Sequence, residues 1–248
     1  MAIAETLNQQ GAEDFLQTAS DQYWREIEDT CATAPPEMYE KQRSFLRDVI
    51  FAQTIPKDTP LESALDVGCG DGRFTQIICD NARYVKAFDL SETQVAKARK
   101  TLQPYHADVT TDSVFDYDYA AQLHDLVSCQ GVTMYIMDDA KFFRTVASLV
   151  GSCRPGGYIL TKDTLSVDDS GLDKLVNRLD ETEGIFKKHV AIYRNLLSYL
   201  DVFIGRHNCR LVQSQEIYRN DQRQIVSRVF LFQVPLPTLP PQQDEDTA

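Results

Sequence analysis

An apolar run that breaks into three glycines at alternate positions, Ala64-Leu-Asp-Val-Gly-Cys-Gly-Asp-Gly-Arg-Phe74, constrains this chain more than any other stretch. Without a Cβ, glycine lets the backbone turn through positive φ and pass close beneath a ligand. A glycine turn between a strand and a helix is also where α/β folds hold nucleotide-like ligands. The spacing narrows the choice. Gly68, Gly70 and Gly72 read G-x-G-x-G, whereas dinucleotide and phosphate loops read G-x-G-x-x-G and G-x-x-x-x-G-K-[ST]. No lysine follows the glycines to meet a phosphate. Asp66, beside the turn, would repel one and suits a cationic ligand.

The chain around this turn alternates strand and helix from Leu61 onward. Strands are expected at 64–67, 85–88, 105–109, 125–129 and 158–161. Helices are expected at 74–81, after the capping residue Ser91, at 138–150 and at 196–207, with Asn208 as a left-handed cap. Such alternation implies a parallel sheet with right-handed crossovers. Two β-rich runs, 210–218 and 224–234, predict an antiparallel hairpin at the sheet edge. Ahead of the sheet, 13–30 and 36–52 have helical patterning, with Phe45, Leu46, Val49 and Ile50 at helical spacing and Pro35 and Pro36 suited to a first turn. The expected architecture is α/β: a Rossmann-like, doubly wound, mostly parallel sheet with an antiparallel last strand and an N-terminal helical lid. The lid covers residues 1–55 and the ligand-binding domain 56–234, with a substrate-side insertion at 163–195. The tail 235–248, rich in Pro, Gln and acids, is expected to be disordered.

Composition removes several functions. A formal net charge of −12 argues against a nucleic-acid partner, which needs basic surface against phosphate. The six cysteines form no C-x-x-C pair and no ligand-like cluster, so reduced thiols and no metal site are expected. Residues 1–12 lack the charged start and apolar run of a secretory leader. No segment approaches the ~20 apolar residues of a membrane span. A soluble, cytoplasmic protein without a membrane partner is expected, as a monomer or a homodimer.

Later strand ends carry groups that match the glycine turn. Asp89 follows Gly72 by 17 residues, at the end of the second strand, where an acid can accept both hydroxyls of a ribose. Asp108 and Val109 end the third strand, suited to an adenine amino group and to its ring face. Asp125 starts the fourth strand at the opposite end of the sheet and is read as structural; Cys69 and Cys129 are read as packing residues.

These ordered motifs, LDVGCGDG (65–72), FDLS (88–91), AD (107–108), DLVSCQGV (125–132) and RPGGYIL (154–160), resemble the class I S-adenosylmethionine-dependent methyltransferases over about residues 60–234. The resemblance implies S-adenosylmethionine as cofactor, held by Asp66, Gly68, Gly70, Gly72, Asp89, Leu90, Asp108, Val109 and Gln130. The acceptor it implies is a small molecule, more readily an amine or ring nitrogen than an oxygen, with O-methylation of a small metabolite as the alternative. Tyr23-Trp-Arg-Glu-Ile27, Arg43-Ser-Phe-Leu46 and Thr161-Lys-Asp-Thr-Leu165 are also similar to the protein N-terminal α-amine methyltransferases, a second alternative. In that family an Asp at the position of Asp163 is the base; Thr164 stands where that family has Asn, and Tyr135 where it has His. Asp163 and Tyr135 are the expected catalytic residues. Tyr23, Trp24, Tyr135, Lys162, His189, Tyr193 and Arg194 are expected on the acceptor side, where aromatic rings can embrace a cationic nitrogen. Tyr23 and Trp24 suit equally the packing of the first helix onto the domain, and His189 beside Lys187 and Lys188 suits a solvated face.

Overall fold

A computed structural model describes residues 9–28, 35–57, 60–177 and 190–237. Its centre is a seven-stranded sheet in the order β3-β2-β1-β4-β5-β9-β8. The strands are β1 Leu61–Val67, β2 Ala82–Asp89, β3 Ala107–Thr111, β4 His124–Gln130, β5 Cys153–Ser166, β8 Arg210–Asn220 and β9 Ile225–Gln233. Neighbours from β3 to β5 pair in parallel, and β9 alone runs antiparallel, between β5 and β8.

Successive residues of a strand face opposite sides, and the apolar pairs of this chain fill both. Leu65, Val127, Ile159 and Phe230 face one layer, where Phe142, Val146, Tyr199 and Phe203 cover them. Their neighbours Ala64, Leu126, Leu160 and Leu231 face the other, under Leu46, Ile50, Phe51 and Ile78. Helices α5 (Asp139–Gly151) and α6 (Leu196–Asp201) therefore lie on one face. On the other face lie α2 (Pro36–Ser44) with its wider π-helical continuation Phe45–Thr54, and α3 (Thr75–Cys79). Helix α4 (Glu92–Thr101) closes that face through Val95, Ala98 and Leu102 against Ala87 and Val109. Side-chain caps fix two starts: Ser91 Oγ accepts from Gln94 N, and Asp138 Oδ1 from Lys141 N.

Several boundaries differ from the sequence reading. Helix α1 spans Gln9–Glu26, four residues earlier than its pattern suggested, and residues 29–30 lie outside the described set. The third strand is shifted two residues onward. The fifth continues past Thr161 to Ser166 because β9 pairs with it as far as Ile225, so 163–166 belong to the sheet. Beyond it, β6 (Lys174–Asn177) and β7 (Val190–Tyr193) form a small antiparallel pair. Asn208 has φ 52, as a left-handed cap requires. Of the tail, only 235–237 are described. Among the described residues no helix is long and apolar enough to cross a membrane.

Candidate functional site

The carboxyl ends of β1, β2, β4 and β5 meet at one rim, and a cavity opens there beneath α1 and α2. Its floor is the glycine turn. Gly68 has φ +71, and a Cβ there would collide with Val132 Cγ2, so only glycine lets the turn lie against the β4–α5 connection. Gly68 and Cys69 donate their backbone N–H groups to Phe88 O, which ties the turn to the end of β2. Asp89 completes the tie. One carboxylate oxygen accepts from Gly70 N at 2.8 Å and the other from Ser91 N at 2.9 Å, and burial pushes its pKa up despite both bonds. Leu90, Gln130 and Gly131 line the same space.

The rest of the wall comes from segments far away in sequence. Gln17 of α1 donates to Tyr135 O at 3.1 Å and accepts from Met137 N at 2.9 Å. Gln42 of α2 donates to Gln130 Oε1 at 2.8 Å. These bonds hold both N-terminal helices over the strand ends. Trp24 reaches Tyr135 edge-on with ring centroids 4.6 Å apart, and Tyr39, Phe74 and Met134 add apolar wall. Charge enters through Asp21, whose pKa burial raises while a 2.8 Å bond from Gln17 opposes the shift, and through Arg73, ion-paired to Asp71.

Some sequence-predicted residues stand elsewhere. Asp108 faces out from the middle of β3, in register with Lys86, because the strand runs on to Thr111; Asp112 reaches the cavity in its place. Val109 is buried against α4. Asp66 lies buried below the turn, accepts from Thr75 Oγ1 at 2.6 Å, and is pushed by burial to about 6. Gly72 has φ +83 and abuts Ala98 of α4, so its lack of a side chain serves helix packing rather than ligand contact.

The acceptor-side residues divide similarly. Asp163 is wholly buried and does not line the cavity. Its Oδ2 accepts from Thr133 Oγ1 at 2.7 Å and Tyr199 OH at 2.9 Å, and its Oδ1 from Met134 N at 3.3 Å. Arg194 is also interior: it bonds Thr133 O, Ile136 O and Asp139 and lies over the Phe142 ring. Both brace the β4–α5 connection that carries Tyr135. Tyr193 packs with Ala191 beside Trp24 and Tyr135, and Tyr23 meets Trp24 edge-on, so both support the wall from behind. Trp24, Tyr135 and Lys162 do line the cavity. His189 lies outside the described residues. Asp125 accepts from Glu62 N and Ser63 N and pairs with Arg154, a structural role at the far end of the sheet. Gln17, Asp21, Tyr39, Gln42, Arg73 and Asp112 were not expected at the site; only Asp112 had a sequence signal, an acid just past the third strand.

A sheet of this order with ligand-facing groups at the ends of its first, second and fourth strands defines the class I methyltransferase fold. The comparisons agree: residues 64–157 match the methyltransferase domain family. Nodulation protein S of Rhizobium tropici is 26% identical over 102 residues, which are 41% of this chain and 42% of that protein. The ubiquinone biosynthesis O-methyltransferase of Aeromonas salmonicida is 26% identical over 98 residues, 38% of this chain and 40% of that protein. The crystal structure of the N-methyltransferase NodS from Bradyrhizobium japonicum, in complex with S-adenosyl-L-homocysteine, superposes with a TM-score of 0.62 at 13% identity. It covers 89% of this chain and 98% of that one. The chain thus spans 40–60% of the length of the curated relatives it matches. Residues 64–157 carry the methyltransferase-domain match, and the fold around them is that of the NodS structure.

Proposed function

We propose that the protein transfers a methyl group from S-adenosylmethionine to a small-molecule acceptor at nitrogen. The observation that carries this is the rim cavity itself: a glycine cradle closed by Asp89 on one side and an aromatic wall with a carboxylate on the other. The cradle fits the cofactor. The turn leaves no room for a side chain at Gly68, and Asp89 keeps lone pairs for ribose hydroxyls after taking Gly70 N and Ser91 N. Asp112 is the group we assign to the adenine, and Leu90 and Val132, which line the same cavity, would border its ring. When bound, S-adenosylmethionine supplies an electrophilic methyl: the N–CH3 bond forms as the S–CH3 bond breaks, with the electron pair staying on sulfur.

The protein's part is to align the acceptor and exclude water. Within 1–55, the described residues 9–28 and 35–55 act as the lid through Gln17 and Gln42, over a domain spanning 56–234. Trp24, Tyr39 and Tyr135 with Asp21 favour a cationic amine at the entrance. Similarity to N- and O-methyltransferases among the relatives supports transfer to small molecules, and the Asp21–aromatic pairing favours nitrogen. The test is calorimetry with S-adenosylhomocysteine followed by radiolabelled transfer into a metabolite extract. Binding that is lost in Asp89→Ala, with labelled products sensitive to amine-blocking reagents, is expected. No binding by the intact protein would sink the reading.

A further inference from the structure

An amine reaches neutral pH with a proton on the lone pair that must attack the methyl. Resting on the methyl-transfer reading above, we propose that the Lys162 side-chain amine takes that proton. Neighbouring residues of a strand point to opposite faces. Lys162 and Asp163 are neighbours, so only one can look into the cavity, and it is Lys162. In register with it stand Gln130 of β4, bonded to α2 above the cavity, and the apolar Val229 of β9. Asp163 faces Tyr199 on the α6 side, with all its described donors engaged there.

Lys162 is buried, and among the described residues no carboxylate lies within ion-pair distance of its amine. Burial lowers its pKa, with Asp163 behind it pulling the other way. The other charged groups on the wall are Asp21 from α1, Asp71 and Arg73 from the glycine turn, Asp89 from β2 and Asp112 after β3. Tyr39 and Tyr135 also face the space, and burial holds the Tyr135 phenol well above its usual range, so it is no base at neutral pH. The sulfonium adds one more positive charge, which opposes protonation of a neighbouring lysine. Burial and the sulfonium both disfavour the protonated form of the Lys162 amine, which faces the cavity. The balance is simple: R–NH3+ gives its proton to the Nζ lone pair, leaving R–NH2 and a lysine ammonium, which later returns the proton to water.

The sulfonium and its neutral product analogue read this state without an acceptor. Affinities for S-adenosylmethionine and S-adenosylhomocysteine are measured by calorimetry between pH 7 and 9.5. The sulfonium lowers the pKa of the amino group that both ligands carry, so the Lys162 variants, which keep that titration, supply the reference curve. Loss of the Lys162 proton should favour the sulfonium by about tenfold across this range. In Lys162→Met, and in Lys162→Gln as a second replacement, the ratio should lose this tenfold change and keep only the ligands' own titration, while S-adenosylhomocysteine binding shows that each variant is folded. A pH dependence of the ratio in the intact protein no larger than that in both variants overturns the proposal. If neither ligand binds the intact protein, the methyl-transfer reading falls instead, and the proposal falls with it.

Discussion

Replacing Asp163 separates a bracket from a base. Three donors converge on this carboxylate, at 2.7, 2.9 and 3.3 Å, inside a site with no exposure. Asp163→Ala leaves Thr133 Oγ1, Tyr199 OH and Met134 N–H unpaired in the interior. Each orphaned donor costs about 1–3 kcal/mol, offset in part because a buried carboxylate no longer has to be desolvated, so a net loss of about 3–5 kcal/mol is expected. Asp163→Asn is gentler. An amide oxygen in the place of Oδ2 keeps Thr133 and Tyr199, while its NH2 confronts Met134 N–H, costing about 1–2 kcal/mol. Urea denaturation at constant pH reads both variants. Because these donors hold the segment bearing Tyr135, cofactor affinity and turnover should fall with stability in Ala and change little in Asn. An Asn variant of wild-type stability and cofactor affinity, yet with turnover reduced about 100-fold or more, would refute this and restore Asp163 as the proton acceptor.

Three further outcomes are expected. Asp112→Ala should weaken S-adenosylhomocysteine binding about tenfold or more, whereas Asp108→Ala, on an exposed mid-strand position, should leave the calorimetric affinity unchanged. Gln17→Ala strips the partner from Met137 N–H and loosens α1; a loss of about 1–3 kcal/mol and faster hydrogen exchange across Gln9–Glu26 should follow. His124, buried with Ser63 Oγ 2.6 Å from its Nδ1, is held down to about 4, first by burial and then by Lys86 and Arg154. Its neutral form is the one folding favours, so its contribution is complete above the unfolded value near 6.5 and is lost as pH falls through 4. That is about 3 kcal/mol, and a His124→Gln variant should show a shallower acid limb over this window in pH-dependent denaturation.

The fold was legible because its signals are local. A strand that breaks into glycines, Ser91 and Asp138 before two amphipathic runs and paired apolar neighbours on the central strands each act within a few residues. The parallel sheet followed from them, and the antiparallel last strand from the hairpin pattern at 210–234 together with the family resemblance. Boundaries failed where pairing partners decide them: β5 runs to Ser166 because β9 is long enough to match it, and no residue between Thr161 and Ser166 announces that.

The site shows the same division at finer grain. Asp89 stands at the rim because two backbone bonds fix it to the turn, at a spacing the sequence displays. Asp112 was missed by the two-residue shift of β3, an error too small to alter the fold but large enough to exchange one acid for another at the rim. Gln17 and Gln42 had no motif, since their partners lie 118 and 88 residues away and exist only once the helices dock. The choice between Lys162 and Asp163 turns on strand alternation: motif similarity selects a position, while the direction of its side chain depends on which face the cavity occupies. Here the α1–α2 cover lies on the Lys162 side and α6 on the other. The acid that the motif singled out therefore braces the wall, and the lysine beside it faces the cavity.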